Sequence, residues 1–333
     1  MAYITLNKKH FFNNLDIIAD KTKSKDKIAV VLKDNAYGHG ILEVATMAKE
    51  YGITKAVVRC IPEAKMIEEF FEYVLVLADI PQTSSDKIRY TINDINKIDK
   101  FPKNTKVELK IDTGMHRNGV SLDELPDALE AIKNKNLKLE AAFTHHRSAD
   151  ELTSEWFWQN ENFEKAKKIL KDLGYENVRF HSSNSASTMR HSNIDEDMVR
   201  VGIAIYGCLE SEVFDADTFK PVLSLWAQKN SQRKVIKGQR VGYGGICTLD
   251  ENSVISNYDF GYADGFHRLC SNNYTTPNGE KLLGRISMDN SSFLSDADEL
   301  LIFDDARIMA KSAKTFSYEV LTSLKHYIKR KII

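Results

Sequence analysis

The sequence predicts an α/β protein in which an N-terminal (β/α)8 barrel of the TIM type, residues 1–219, precedes a smaller, mainly β domain, residues 220–333. Up to about residue 205, short apolar runs alternate with amphipathic stretches in which apolar residues recur every three or four positions. Apolar strands that alternate with helices are typical of a parallel sheet covered by helices. After about residue 220, strand-like alternation interrupted by glycines largely replaces the helical patterns.

Two architectures of this size contain such repeated units, a (β/α)8 barrel and a doubly wound sheet. The barrel is favoured because chemically capable side chains follow the ends of the apolar runs, and a barrel gathers the carboxyl ends of all its strands around one mouth. These side chains are Lys33, Lys110, His145, Ser185 and Arg200. No G-x-G-x-x-G follows the first run, so a dinucleotide-binding turn is not indicated.

The apolar runs and the helical patterns define the expected elements in chain order. In the first region, strands are predicted at residues 28–32, 55–61, 73–77, 106–111, 138–144, 178–181 and 198–205, and helices at 41–51, 122–133 and 154–173. In the second region, strands are predicted at 221–229, 232–242 and 254–259, and a helix at 317–329.

Composition and charge narrow the class of protein. The 333 residues are 42% hydrophobic and 28% charged, which suits a globular protein with a sizeable core. The net charge of -1 gives no electrostatic reason to expect nucleic acid or an anionic membrane as a partner. The N-terminus lacks the pattern of a signal peptide, and the cysteines lack metal-ligand spacing. We therefore expect a cytoplasmic protein without a metal site.

The stretch from Ile28 to Gly40 has the strongest chemical character. An apolar run delivers a single lysine, Lys33, at its end, followed by a polar pair, a tyrosine and a Gly-His-Gly segment. A lysine between an apolar core and an open cleft can lose its proton and act as a nucleophile. Taken alone, the pattern at Lys33 favours an ordinary surface lysine after an edge strand, and the motifs further along the chain reverse that interpretation.

Eight different short motifs, the Lys33 motif among them, lie along the chain, and most of them contain a glycine. They are Lys33-Asp-Asn-Ala-Tyr-Gly-His-Gly40, Lys110-Ile-Asp-Thr-Gly-Met-His-Arg-Asn-Gly119, Thr144-His145, Asn184-Ser185-Ala186, Arg200-Val-Gly-Ile203, Val241-Gly-Tyr-Gly244, Gly261-Tyr-Ala-Asp-Gly265 and Gly284-Arg-Ile-Ser-Met-Asp289. In their order and spacing they resemble the bacterial alanine racemases. The resemblance runs nearly end to end and weakens in the last ~40 residues.

The resemblance implies the cofactor, the reaction and the assembly. The family consists of pyridoxal 5'-phosphate enzymes with an N-terminal barrel and a C-terminal β domain. It implies interconversion of L-alanine and D-alanine, which supplies D-alanine for peptidoglycan, in a homodimer with shared active sites. Two bases would act on opposite faces of the substrate. Lys33 would hold the cofactor and serve as one base, and Tyr243 of the partner subunit as the other.

The resemblance also implies which residues bind the cofactor. Arg200 would face the pyridine nitrogen, and His145 would orient it. A guanidinium only donates hydrogen bonds, so it would keep the ring nitrogen unprotonated. The phosphate would be held by the hydroxyl groups of Tyr37 and Ser185 and by the amides of Gly202 and Ile203.

A third group of residues would meet the substrate. Arg117 would supply the cation that a tyrosine base needs near neutral pH, because a phenol has a pKa of about 10. Tyr262, Met288 and Asp289 resemble residues at the substrate entrance, with the Met288 region contributed across the dimer interface. Lys110 matches a lysine that is carbamylated in some members.

Several positions depart from the pattern. Asn118 and Ser287 replace an apolar residue and a cysteine, and His146-Arg147 replaces an aromatic-small pair. The family's C-terminal phosphate-binding tyrosine aligns nearest to His326 and Tyr327.

Every assignment also has an ordinary structural interpretation. Taken singly, Tyr243 could be a turn aromatic, His145 a core histidine, Arg200 a salt-bridge partner and Ser185 a helix cap. The remaining histidines of the motif region are interpreted as structural or solvent-facing: His39, His116, His146 and His181.

Three other functions are compatible with parts of the pattern. The first is a racemase for another small amino acid such as serine. The second is a related barrel decarboxylase, which would need a carboxylate at the ring nitrogen, where this chain has Arg200. The third is a lone-barrel protein that binds the cofactor without catalysis, and the ~110 residues after the barrel disfavour it.

Overall fold

The computed structural model describes all 333 residues, which form nine helices and seventeen strands. The helices are α1 (Lys8–Thr22), α2 (Lys33–Tyr37), α3 (Ile41–Tyr51), α4 (Ile61–Ile67), α5 (Leu125–Asn134), α6 (Glu155–Asp172), α7 (Ser185–Arg190), α8 (Ala306–Ala313) and α9 (Ser317–Ser323). The strands are β1 (Tyr3–Leu6), β2 (Ile28–Val31), β3 (Lys55–Val58), β4 (Tyr73–Val76), β5 (Ile88–Ile92), β6 (Lys106–Lys110), β7 (Lys138–Phe143), β8 (Arg179–His181), β9 (Val199–Val201), β10 (Leu223–Val235), β11 (Arg240–Val241), β12 (Cys247–Thr248), β13 (Ser253–Tyr258), β14 (Leu282–Leu283), β15 (Ser291–Phe293), β16 (Glu299–Phe303) and β17 (Lys329–Ile332).

Strands β2 to β9 form a parallel sheet that curls into a nearly closed barrel. The order is β8-β7-β6-β5-β4-β3-β2-β9, so the last strand pairs with the first, with Arg200 opposite Ala29. Two further hydrogen bonds bridge the remaining gap, from Asp197 N to Phe180 O at 3.1 Å and from Arg200 N to Ser183 O at 2.9 Å. The predicted barrel is therefore confirmed, and the doubly wound sheet is wrong because an open sheet leaves its outer strands unpaired.

The second region is built on a mainly β sheet that also takes in the N-terminus. Its long strand β10 pairs antiparallel with β13, β16 and β1, and β1 pairs parallel with β17. Strand β1 therefore lies in this sheet, although its residues fall in the range predicted for the barrel. The boundary at residues 219 and 220 stays a prediction.

Two of the differences between the predicted and the observed elements have a clear structural cause. Strand β5 was missed because its sequence, IRYTI, carries an arginine and a threonine among the apolar residues. Arg89 remains partly buried there because its guanidinium lies 4.9 Å from the ring centre of Tyr73 and Nε donates to Glu140 at 2.8 Å. The helix predicted at 317–329 ends at Ser323, and the chain returns as β17 to pair with β1.

The core links the two regions. A single apolar cluster of 87 buried residues includes Ile4 of β1, the barrel strands and Tyr258 of β13. Burial of this apolar surface is the main stabilising contribution to both regions and fixes the barrel mouth against the C-terminal helices. None of the helices has the length and the apolar character needed to cross a lipid bilayer.

Candidate active site

A cavity of about 360 Å³ lies at the carboxyl ends of the barrel strands. It unites eight of the residues that the sequence singles out, together with Lys110: Lys33, Tyr37, Arg117, His145, Ser185, Arg200, Gly202 and Ile203. Four other predicted site residues do not line it: Tyr243, Tyr262, Met288 and Asp289. The chain thus assembles one group of predicted residues and leaves another group outside.

Lys33 follows β2 and begins a left-handed turn. Four successive residues after it have positive φ, from +51° to +55°, at Asp34, Asn35, Ala36 and Tyr37. Asp and Asn tolerate this conformation better than other residues that carry a Cβ, whereas Ala36 and Tyr37 are strained there. Such strain persists only where the surrounding structure holds it, and it is concentrated at functional sites.

Three contacts hold the left-handed turn. The Glu63 carboxylate accepts hydrogen bonds from the Asp34 amide at 2.6 Å and from the Asn35 amide at 3.4 Å. Arg330 of β17 donates to the carbonyl of Gly38 at 2.8 Å and 3.1 Å. Gly38 itself has a φ of +76°, and a Cβ there would lie 2.0 Å from the Leu321 carbonyl oxygen, so only glycine fits. The turn fixes the direction in which Lys33 and Tyr37 leave the backbone.

Hydroxyl groups and amides gather on one side of the cavity. Ser185, at the start of α7, accepts hydrogen bonds from Gly202 N at 3.0 Å and from Ala204 N at 3.3 Å. Tyr37 reaches the same backbone, because a Cβ on Gly202 would lie 2.8 Å from its hydroxyl oxygen. The Ile203 amide has no hydrogen-bond partner within the protein. This side offers uncharged donors to an anionic group.

Tyr318 is a functional candidate that the sequence interpretation missed. It lines the cavity with Phe316, and its ring centre lies 5.7 Å from that of Tyr37. Tyr327 instead is 64% exposed and donates to Asp264 Oδ1 at 2.8 Å. Neither His326 nor Tyr327, the residues aligned with the family's C-terminal tyrosine, lines the cavity, whereas Tyr318 does. The aromatic pair at the start of α9 was the available signal.

Arg200 lies buried in the cavity wall with four of its five N–H groups paired. Nη1 donates to His181 Nδ1 at 2.5 Å and to the His181 carbonyl at 3.3 Å. Nη2 donates to the carbonyl oxygens of Thr144 at 2.6 Å and Ser182 at 3.1 Å. Burial lowers the pKa of Arg200 to about 10, so the guanidinium stays charged at neutral pH. Its Nε makes no hydrogen bond within the protein and is the one donor left for a ligand.

The residue that orients Arg200 in this structure is His181, not His145. His181 is fully buried, and its Nε2 lies 2.9 Å from Glu108 Oε2. His145 lines the cavity but makes no hydrogen bond to Arg200. His181, interpreted from sequence as structural or solvent-facing, is therefore a buried histidine whose two ring nitrogens pair with Glu108 and Arg200.

Positive charges crowd the cavity. Burial lowers the pKa of Lys110 to about 8, and the charges of Arg117 and Arg200 contribute to this shift. Burial, followed by the charges of Arg200, Lys110 and Arg117, also holds the pKa of His145 well below its ordinary value. Lys33 adds another amine to the same space. Such a site favours a ligand that carries negative charge.

Arg147, a departure from the family pattern, fastens the loop that carries Arg117. It donates to the Gly114 carbonyl at 2.7 Å and pairs with Glu155 at the start of α6. Asn162 of the same helix donates to the Thr113 carbonyl at 3.1 Å. The added charge at the barrel mouth is therefore paired and helps hold the loop.

The remaining predicted residues lie together on the β domain. Tyr243 is 65% exposed in a short turn, and Gly242 before it packs near the Arg285 backbone. Met288 is 54% exposed, and its carbonyl accepts from Ala263 N at 2.9 Å, next to Tyr262. Large exposed apolar side chains grouped in this way are typical of a surface that another molecule covers.

Fold and site together define a class of protein, a barrel enzyme with a strand-end lysine facing a buried arginine in a cationic cavity. Residues 6–210 match the family model for the N-terminal domain of alanine racemase, and residues 222–332 match the model for its C-terminal domain. The chain belongs to the alanine racemase family.

Full-length similarity to relatives agrees with the family models. The chain is 44% identical to an alanine racemase of a Nitratiruptor species over 99% of both chains, and 43% identical to one of Campylobacter concisus over 100% of both. Among solved structures, an alanine racemase of Clostridium difficile 630 superposes with a TM-score of 0.91 at 27% identity, covering 100% of this chain and 95% of the other.

The residues present fit pyridoxal 5'-phosphate, on which this family depends. Lys33 provides the amine, the free Nε of Arg200 provides a donor for a ring nitrogen, and the hydroxyl groups of Tyr37 and Ser185 provide donors for a phosphate. A decarboxylase of this class would need a carboxylate beside the ring nitrogen, and this chain offers Arg200 there instead.

Proposed function

We propose that this protein interconverts L-alanine and D-alanine and thereby supplies D-alanine for peptidoglycan in the cytoplasm. The observation that carries the proposal is the cavity shared by Lys33 and the buried Arg200, whose guanidinium is fixed by four hydrogen bonds. Family membership over the full chain supports the same reaction.

Pyridoxal phosphate, when bound, supplies an electron sink that makes the Cα proton of an amino acid acidic enough to remove. Lys33 would hold the cofactor covalently and then take or return a proton on one face of Cα. Arg200 would donate from Nε and, because a guanidinium has no proton to give up at ordinary pH, leave the ring nitrogen unprotonated. That arrangement limits delocalisation and disfavours side reactions such as transamination.

The second base in this proposal is Tyr243 of the partner subunit in a homodimer. Its exposure, and its position outside the cavity of its own chain, support this arrangement. Arg117 would stabilise the phenolate and hold the substrate carboxylate, since a nearby cation favours the charged form of a phenol. Tyr262, Met288 and Asp289 would reach the entrance of the cavity from the same partner surface.

The phosphate contacts complete the proposal. Tyr37, Ser185 and the amides of Gly202 and Ile203 would bind it, and Tyr318 would take the place expected for a C-terminal tyrosine. Lys110 would be the carbamylation site, because an amine with a pKa of about 8 is partly unprotonated near neutral pH and can react with carbon dioxide.

One experiment tests the reaction. The purified protein, loaded with pyridoxal phosphate, is incubated with L-alanine in deuterium oxide, and the products are separated by chirality and mass. D-alanine with deuterium at Cα is the expected product. Preferred turnover of L-serine over L-alanine would assign another small substrate, and carbon dioxide from lysine or diaminopimelate without D-alanine would make the protein a decarboxylase.

A further inference from the structure

Behind Arg200 lies a carboxylate that the proposed reaction does not use. Glu108, on β6, is fully buried and is surrounded by three hydrogen-bond donors. The Tyr73 hydroxyl donates to Oε1 at 2.5 Å, Arg179 Nη2 donates to Oε1 at 3.1 Å, and His181 Nε2 lies 2.9 Å from Oε2. Every side chain that pairs with this carboxylate is a donor, so the site is built for the ionised form.

The charge states along the chain of contacts are mutually consistent. Burial alone would raise the pKa of Glu108, but hydrogen bonds from His181 and Tyr73 and the charge of Arg179 hold that pKa below its ordinary value. Burial lowers the pKa of His181 despite the nearby carboxylate, so the imidazole is neutral. A neutral imidazole between Glu108 and Arg200 carries a single N–H hydrogen, on one of its two ring nitrogens.

Hydrogen-bond chemistry then fixes where that proton lies. A guanidinium only donates, so His181 Nδ1, 2.5 Å from Arg200 Nη1, must accept and carries no hydrogen. The imidazole hydrogen is therefore on Nε2, where it donates to Glu108. In the other tautomer, the hydrogen on Nδ1 would meet an N–H hydrogen of Arg200, and the lone pair of Nε2 would meet a lone pair of the Glu108 carboxylate. Both contacts would be repulsive.

We propose that Glu108 is a positioning residue, whose carboxylate holds His181 in the Nε2–H tautomer and so keeps the Arg200 guanidinium aimed into the cavity. Only the expected effect on racemisation rests on the proposed function. The tautomer of His181 and the affinity for the cofactor can be measured without any reaction. A carboxylate that orients an imidazole, which in turn holds a working group, is a recurring device in enzyme sites.

Glu140 provides a matched control. It also accepts from Arg179, at 3.5 Å, and from Arg89, at 2.8 Å, but it makes no contact with His181. Glu108→Gln and Glu140→Gln therefore each remove one charge from the same ion-pair network, and only the first change touches the imidazole.

The first experiment measures binding of pyridoxal phosphate to the apoprotein and the racemisation rate of each variant. E108Q is expected to weaken cofactor binding and to lower kcat/KM, each on the order of 10-fold, as loss of an orienting contact does. E140Q is expected to change neither by more than about 2-fold. Equal effects of the two variants would overturn the proposal.

A second measurement separates positioning from stability. In 15N NMR of histidine-labelled apoprotein, the imidazole whose signals are absent in His181→Asn should carry its hydrogen on Nε2, and the same imidazole should show a mixture of tautomers in E108Q. E108Q added to His181→Asn should cause no further loss of cofactor affinity, because both changes interrupt the same path. An unchanged tautomer or a fully additive loss would assign Glu108 a structural role.

Tyr73→Phe replaces E108Q if that variant does not fold. It removes one donor from the same carboxylate and should shift affinity in the same direction by a smaller factor; no shift would contradict the proposal. If the wild-type protein forms no D-alanine, the proposed function fails, while the tautomer and the cofactor affinity still decide the role of Glu108.

Discussion

Two parts of the proposed site differ in how complete they are within one chain. We call the buried cavity wall the inner face and the exposed β-domain surface around Tyr243 and Met288 the outer face. On the inner face, Arg200, His181 and Glu108 are buried, and nearly every polar atom has a partner. On the outer face, Tyr243 is 65% and Met288 54% exposed, and neither lines the cavity. If Tyr243 is the second base, as proposed, one chain builds the cofactor site but only part of the proton-transfer apparatus, and a functioning site needs two chains.

The structural cause of this difference is the kind of element that carries each face. The inner residues stand on or directly after parallel barrel strands, whose register is fixed by hydrogen bonds and by a shared core. The outer residues stand on turns of the β domain whose backbones pack on one another but whose side chains point to solvent. Rigid strands can hold a charge network in place, whereas exposed turns gain order from a partner.

The largest expected effect comes from Lys33 on the inner face. Lys33→Ala should abolish the absorbance of covalently held cofactor and lower racemisation by at least about 10⁴-fold, because a base and the covalent anchor are both lost. Absorbance spectroscopy and a chiral product assay measure the two effects. Lys87→Ala, at a partly exposed lysine outside the cavity that pairs with Glu69, is the control and should change neither. Retained cofactor absorbance in the Lys33 variant would remove this lysine from its role.

The next test addresses whether the two faces come from different chains. Tyr243→Phe should lower activity by roughly two to four orders of magnitude, the contribution of one positioned acid or base. Mixing it with inactive Lys33→Ala under conditions that exchange subunits should restore about a quarter of wild-type activity, because half of the dimers then contain one intact site.

Complementation distinguishes a shared site from a site within one chain. If Tyr243 served the cavity of its own chain, each mixed dimer would hold one site without Lys33 and one without Tyr243. Mixing would then restore nothing. Activity that survives dilution into a demonstrably monomeric state would also contradict the shared site.

The same contrast explains what could be predicted from sequence. The barrel followed from apolar strands alternating with helices, and the inner site followed from residues at strand ends. The His181–Glu108 pair could not be foreseen, because two residues 73 positions apart meet only when β6 and β8 curl around one axis. Tyr318 was missed for a related reason: its ring meets that of Tyr37 only because α9 packs against the left-handed turn after β2, a contact between distant parts of the chain.

A moderate effect is expected at the left-handed turn, which aims Lys33. In the wild type, the amides of Asp34 and Asn35 both donate to Oε1 of Glu63, and the amide of Arg59 donates to Oε2. Glu63→Gln keeps one uncharged acceptor oxygen and replaces the other with an NH2 group that cannot accept. The variant should lose about 1–3 kcal/mol of unfolding free energy, because partly buried amides exchange a charged acceptor for a neutral one and one amide loses its acceptor. Urea unfolding measures this loss, and cofactor binding should weaken with it.

The control for the turn is Glu69→Gln on a neighbouring exposed carboxylate. Glu69 is 83% exposed at its side chain and pairs only with Lys87. Its loss should change the unfolding free energy by less than about 0.5 kcal/mol. Equal stability of the Glu63 and Glu69 variants would show that Arg330 and Gly38 suffice to hold the turn.

The smallest expected effect concerns His146, one of several buried polar side chains without a hydrogen-bond partner. His146 is buried, neither of its ring nitrogens has a hydrogen-bond partner, and burial lowers its pKa to about 4. In the unfolded chain a histidine binds its proton below about pH 6.5, so between these two values the folded state holds fewer protons. Stability therefore rises with pH across this window and falls as the pH drops from about 6.5 to about 4.

His146→Phe should remove this share of the pH dependence. At pH 7 the variant should be as stable as the wild type or more stable by up to about 1 kcal/mol, because two unpaired polar atoms leave the core. Urea unfolding at pH 7 and pH 5 should show a smaller loss than in the wild type by roughly 1–2 kcal/mol. His39, whose pKa burial also lowers to about 4, keeps a residual slope. The exposed His326→Gln variant is the control, and a wild-type slope in the His146→Phe protein would show that His146 finds a partner in solution.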